Sequence, residues 1–150
     1  MPQSLSKIYL HIVFSTKNRE PTIDDMIKND LFNYVGGLCR ERECDPIQVG
    51  GYHDHMHILC LLSRKITVAK LLEDIKKVSS RWIKTKGDDY AAFYWQDGYA
   101  AFSVGQTELG KVAEYIRNQE AHHSSQSYQD ECRKLLKRYQ VDYDERYFWE

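Results

Sequence analysis

The chain has 150 residues, 42% of them apolar and 29% charged, with a formal net charge of −1. That length and mix suit one soluble domain with a real core, and the near-neutral charge excludes a global pull on nucleic acid, so any polyanion must meet a local patch. No apolar run approaches the roughly 20 residues of a membrane span, and residues 1–7 lack the apolar stretch and cleavage site of a secretory signal, so the expected location is the cytoplasm.

The four cysteines, Cys39, Cys44, Cys60 and Cys132, form no C-x-x-C pair and read as free thiols in a reducing compartment. No repeat, low-complexity tract or linker divides the sequence, so residues 1–150 are expected to be a single domain.

Residues 5–14 are rich in β-branched and aromatic types and read as a strand. A polar loop follows. Thr22 or Asp24 can then cap a helix to about Arg42, with Ile27, Leu31, Tyr34, Val35 and Leu38 at helical spacing. Residues 46–52 read as a second strand ending in a Gly50-Gly51 turn or bulge. Residues 55–62 are a third strand. Thr67 caps a helix to about Lys84, whose apolar stripe is Val68, Leu71, Leu72, Ile75, Val78 and Trp82. Residues 93–104 read as a strand entered through a turn at Asp97-Gly98. Thr107 opens a helix to about His123. Ser127 with Asp130 resembles a capping box for a last helix to Tyr139. The aromatic and charged tail, residues 142–149, could fold back on the domain or dock on a partner.

The first six elements run β-α-β-β-α-β. The expected fold is therefore α+β: a ferredoxin-like core with an antiparallel sheet, followed by helices. Its first and third strands would be central. The third strand opens the chemistry. Side chains alternate along a strand, so His53, His55 and His57 point to one face and Met56, Ile58 and Cys60 to the other. By the same rule Asp54 should point away from His55. Two imidazoles at i and i+2 can grip one divalent cation; the alternative is a core strand with histidines at its wet end. In the helix after the last strand, Tyr115 and Gln119 lie at i and i+4 and share a face. A tyrosine hydroxyl can be a nucleophile when a metal activates its electrophile, and Gln119 could add an oxygen ligand. The alternative is one core aromatic and one solvated amide.

The joint pattern resembles a known family. Asp54-His55-Met56-His57-Ile58-Leu59, followed about 60 residues later by Tyr115-Ile116-Arg117-Asn118-Gln119, resembles the histidine–hydrophobic–histidine endonuclease motif and catalytic helix of the TnpA-type single-tyrosine transposases of small bacterial insertion sequences. His11-Ile12-Val13-Phe14-Ser15-Thr16-Lys17 and Trp95-Gln96-Asp97-Gly98-Tyr99-Ala100-Ala101-Phe102-Ser103 extend the resemblance over nearly the whole chain. The family's hydrophobic middle residue assigns the ligands to His55 and His57 and leaves His53 a neighbour that touches DNA or simply faces water.

The resemblance implies that Tyr115 attacks a phosphodiester of single-stranded DNA at hairpin-flanked ends, giving a 5′-phosphotyrosine and a free 3′-hydroxyl. It also implies Mg2+ or Mn2+ held by His55, His57 and Gln119, and a homodimer with composite active sites in which Gly105 and Gly110 could be hinges for the tyrosine helix. Such an enzyme needs a cationic surface. Between Arg64 and Lys86 eight basic residues face two acidic ones, and Arg64, Lys65, Lys76, Lys77, Arg81 and Lys84 are the expected DNA contacts. A solvated helix face is the alternative. Tyr94, Trp95 and Tyr99 could stack bases or pack the core. Two rival functions are a domesticated DNA-hairpin binder with little or no transposition activity and a metal-dependent hydrolase. The second is weakened by the lack of an acidic ligand near His55.

Overall fold

The computed structural model describes residues 2–123 and 125–149. Strands β1 (Tyr9–Ser15), β2 (Pro46–Tyr52), β3 (His55–Leu61) and β4 (Ala100–Val104) form one sheet in the order β2-β3-β1-β4, antiparallel throughout. Helix α1 (Lys28–Glu41) links β1 to β2, and α2 (Val68–Lys84) links β3 to β4. This is the expected ferredoxin-like arrangement, with the histidine strand in mid-sheet. The described residues after β4 form α3 (Leu109–Arg117), α4 (Gln119–His122), α5 (Tyr128–Arg138) and α6 (Glu145–Phe148). None of the described helices is long and apolar enough to cross a membrane.

Strand alternation sorts the core into two layers. Leu10, Ile12 and Phe14 of β1 and Met56, Ile58 and Cys60 of β3 pack with Leu31 and Val35 of α1 and Leu71 and Ile75 of α2. The opposite face carries Tyr9, Val13 and Leu59, covered by Ala113 and Ile116 of α3 and by Tyr128, Cys132 and Leu136 of α5. Two expected helix caps form, whereas α1 starts only at Lys28, not after Thr22 or Asp24, α3 starts at Leu109, and neither of these has a side-chain cap. Thr67 accepts from the Lys70 amide and Ser127 from the Asp130 amide, each occupying a donor that the helix leaves unpaired.

Four local expectations change. β1 begins at Tyr9, because Leu5 and Ile8 are solvent-exposed and ladder pairing starts only at Tyr9. Residues 93–99 are a loop joined to β1 by the single bridge of Trp95 with Thr16. Phe93 and Trp95 turn into the core there, and Trp95 Nε1 donates to Ser79 Oγ at 2.9 Å. The helix expected over residues 107–123 breaks at Asn118 (φ −95°, ψ 20°). Gly50 and Gly51 lie within β2, and the turn is His53-Asp54. Gly50 is where α3 crosses the sheet: a Cβ there would lie 2.8 Å from Ile116 Cγ2 and from Ile116 O. At Gly51, with φ +155°, a Cβ would collide with the His55 carbonyl oxygen. The tail folds back: Phe148 and Trp149 pack beside α5, and Arg19 donates to Trp149 O at 3.0 Å.

Candidate active site

β3 turns His55 and His57 toward the layer of α3, α4 and α5, where both are fully buried. Gln119, the first residue of α4, places Oε1 2.8 Å from His55 Nε2. Tyr115, on α3, donates its hydroxyl to Glu131 Oε2. Glu131, on α5, is 1% exposed and is the hub. Its Oε1 lies 3.0 Å from His57 Nε2, 3.3 Å from His55 Nε2 and 3.1 Å from His123 Nε2, and its Oε2 accepts from Gln119 Nε2 at 2.9 Å. The structure thus gathers His55, His57, Tyr115 and Gln119 within one chain. His53 stands apart in the turn, bonded to Asp25 Oδ1 at 2.9 Å and stacked on Tyr52.

The electrostatics follow from burial and partners. For Glu131, burial alone would raise the pKa, but His57, His123 and His55 outweigh it and hold the carboxyl far below its ordinary range, so it is ionised. Burial opposes charge on His55 too, yet hydrogen bonds with Asp54 (2.7 Å from Nδ1) and Glu131 raise it to about 9. His57 is lowered, first by burial and against the pull of Glu131. His11 on β1 is lowered to about 3, by burial and then by His57. Tyr115 is raised, by burial and then by the Glu131 carboxylate, so this geometry keeps the phenol protonated.

These residues fit a divalent cation. His55 Nε2, His57 Nε2 and a Glu131 oxygen lie within 4.8 Å of one another. Ligand atoms at right angles about an ion ~2.1 Å away stand ~3 Å apart, which is the spacing found for His57 and Glu131. Each imidazole also has a partner on its far nitrogen: Asp54 for His55, and His11 Nε2, 2.8 Å away, for His57. A metal at His57 Nε2 requires the proton on Nδ1, so His11 Nε2 must then be the acceptor.

The expected DNA contacts are elsewhere. Arg64, Lys65, Lys76, Lys77, Arg81 and Lys84 lie on α2 or its approach, and α2 packs on the sheet face opposite the histidines. Arg64, Lys77 and Arg81 are exposed, and Lys65 pairs with Glu43 at 3.0 Å. Lys84 Nζ lies 4.1 Å from the Tyr94 ring centroid. Lys76 turns inward, donating to the carbonyls of Gln96 and Gly98, and its burial lowers it to about 8.

Sequence reasoning assigned no role to Glu131, His11 or His123. Glu131 sits in the buried stripe of α5 with Tyr128, Cys132 and Leu136; a carboxylate inside an apolar stripe is the signal that could have found it. Asp54 was expected to face away from His55. It lies in a two-residue turn, where strand alternation does not apply, and meets His55 directly.

Known proteins share this fold. The sequence profile of the IS200-like transposases matches residues 4–119, a span that ends before Glu131. A crystal structure of a candidate transposase from Deinococcus radiodurans R1 superimposes with a TM-score of 0.61 at 17% identity, covering 79% of this chain and 98% of that one. A REP-associated tyrosine transposase bound to a REP hairpin gives 0.57 at 13% identity, covering 82% and 73%. Identities this low show the shared fold alone. No curated protein matches the chain.

Proposed function

From the premise that this chain belongs to the IS200-like transposase family and is a DNA-cleaving enzyme, we propose that residues 1–150 act as one domain. It cuts and rejoins single-stranded DNA at hairpin-flanked ends through a 5′-phosphotyrosine on Tyr115. One observation carries the reading: Tyr115, His55, His57 and Gln119, spread over three elements, meet at one buried carboxylate.

Magnesium or manganese held by His55, His57 and Glu131, with Gln119 alongside, would polarise the scissile phosphate and offset developing charge. Asp54 and His11 orient the two imidazoles. Glu131 Oε2, already bonded to the phenol, aims the Tyr115 hydroxyl, whose proton passes to water as Oη attacks phosphorus. The O–P bond to tyrosine forms as the bond from phosphorus to the 3′-oxygen breaks, and that oxygen takes a proton from water. One phosphodiester replaces another, so a 3′-hydroxyl can reverse the step without ATP.

The test is incubation of the protein with labelled single strands covering the DNA around its gene, with magnesium or manganese, then a denaturing gel. A metal-dependent covalent band that Tyr115→Phe abolishes is expected. Binding without a band, with either metal, would favour the hairpin-binding alternative; cleavage that survives Tyr115→Phe would favour a hydrolase. The relative solved with a REP hairpin supports a hairpin partner, and the exposed Arg64, Lys77 and Arg81 of the α2 side are proposed to hold its phosphates.

A homodimer belongs to the same proposal. In a single chain Tyr115 lies beside its own His57, with ring centroids 5.8 Å apart. Exchange of α3 between subunits would rebuild the contact in trans, and a Cβ on Gly105 or Gly110 would meet nothing within 4 Å, which suits a hinge better than close packing. Mixing Tyr115→Phe with His55→Ala distinguishes the two: the single-chain site predicts no recovered cleavage, and recovery would establish exchange.

A further inference from the structure

We propose that the cleft between α3 and α5 is the binding channel for the reacting single strand, with Lys111, Lys134 and Arg138 on its phosphates. The inference rests on the function proposed above and deepens it.

The cleft encloses about 530 Å³, and Tyr115, His11 and Glu131 line its inner end. It is therefore an open approach to the tyrosine hydroxyl from solvent. Lys111 on α3 and Lys134 and Arg138 on α5 line it as well. Lys111 is 82% exposed, and its Nζ is 3.8 Å from Glu108. Lys134 bonds to Gln126 Oε1 at 2.8 Å. Neither Lys134 nor Arg138 forms an ion pair among the described residues. The opposing charges are Glu108 at the rim and Glu131, whose carboxylate is held by imidazoles. The wall includes Tyr139, fixed by stacking on Phe102 with centroids 4.5 Å apart, a rigid aromatic of the kind on which unpaired bases stack.

Geometry decides against the α2 side for this part of the DNA. The sheet separates α2 from Tyr115, so a phosphate on Lys77 or Arg81 is not at the nucleophile. A flexible single strand needs a groove with cations along it and the reactive atom at its end, and this cleft supplies both. The α2 surface is left for duplex hairpin, and the two DNA forms use opposite faces.

The experiment measures binding of fluorescein-labelled oligothymidylate, which forms no hairpin, across a salt series. It uses Tyr115→Phe protein with and without Lys134→Gln plus Arg138→Gln, and with Lys77→Gln plus Arg81→Gln. Each phosphate contact on a single strand contributes about 0.7 to the salt slope, so the cleft pair should lower the slope by about 1.4 and affinity about 25-fold at 0.1 M salt. The α2 pair should leave oligothymidylate binding unchanged. In protein with Tyr115 restored, the cleft pair should also slow formation of the covalent adduct. Equal affinity and slope with or without the cleft substitutions, together with normal adduct formation, would overturn the channel while leaving the enzyme reading intact. Absence of any adduct from the unsubstituted protein would instead count against the enzyme reading, and the binding series would still decide where single strands sit.

Discussion

The Tyr115 hydroxyl donates to Glu131, a carboxylate that also lies 3.0 Å from His57 Nε2. The proposed nucleophile and the proposed metal ligands are therefore linked through one side chain. Glu131→Gln keeps the shape and an acceptor but removes the charge. Mn2+ affinity should fall at least 10-fold by calorimetry, and adduct formation should fall by a factor of 100 or so, in line with the loss of about 3 kcal/mol of charge stabilisation. Unaltered Mn2+ affinity would remove Glu131 from the ligand set.

The proposed role of His11 runs through His57. His11→Phe removes the acceptor for His57 Nδ1–H and leaves a buried donor unpaired, which costs about 1–3 kcal/mol of stability. Loss of such an orienting partner typically weakens metal binding about 10- to 100-fold. His11→Gln, whose amide oxygen can accept, should recover part of the Mn2+ affinity. Equal affinities for the Phe and Gln variants would rule out orientation as the role of His11.

Gly50 sets the distance between α3 and the sheet. An alanine Cβ would stand 2.8 Å from both Ile116 Cγ2 and the Ile116 carbonyl, and the carbonyl belongs to backbone that cannot swing aside. Gly50→Ala should cost about 1–3 kcal/mol and displace Tyr115 with its helix. A shift near 1 Å at a nucleophile is worth about 100-fold in rate. Adduct formation should therefore fall far more than Mn2+ affinity, because His55, His57 and Glu131 lie off α3. An equal fall in both would mean that the whole site had collapsed.

The metal-free site predicts a stability maximum near pH 6.5. His11 is lowered to about 3 in the folded protein, so between about 3 and 6.5 the unfolded chain binds more protons and stability climbs with pH. His57 acts in the same direction. His55 is raised to about 9, so its contribution is fully present below 6.5 and is lost as pH rises through 9. One proton corresponds to about 1.4 kcal/mol per pH unit at most. Urea midpoints in chelator between pH 4.5 and 8 check this. His55→Gln should flatten the alkaline side and keep the acid side; an alkaline decline that persists in the variant would show another group to be responsible.

The parts of this site set by short-range rules were legible in the sequence. Strand alternation placed His55 and His57 on one face and Met56 on the other, and the six-element order put them in mid-sheet. Spacing put Tyr115 and Gln119 on one face, but only the resemblance to the transposase family singled them out, and the helix breaks between them at Asn118. Glu131 was not found, because its helix had no apparent link to the histidines until the chain closed over the sheet. The α2 cations were read from charge density alone, which is blind to the face of the sheet on which a helix packs. Residues 93–99 failed as a strand because Phe93 and Trp95 gain more from burial under the sheet than from extending the ladder.

The central claim is that Tyr115 attacks DNA at the His55, His57 and Glu131 site. It is tested most directly by digesting the covalent adduct and finding the modified peptide by mass spectrometry. The account predicts a nucleotide on Tyr115, formed only with a divalent metal and absent from Glu131→Ala. Attachment to another tyrosine such as Tyr128 or Tyr139, or cleavage that leaves no nucleotide on the protein, would contradict it.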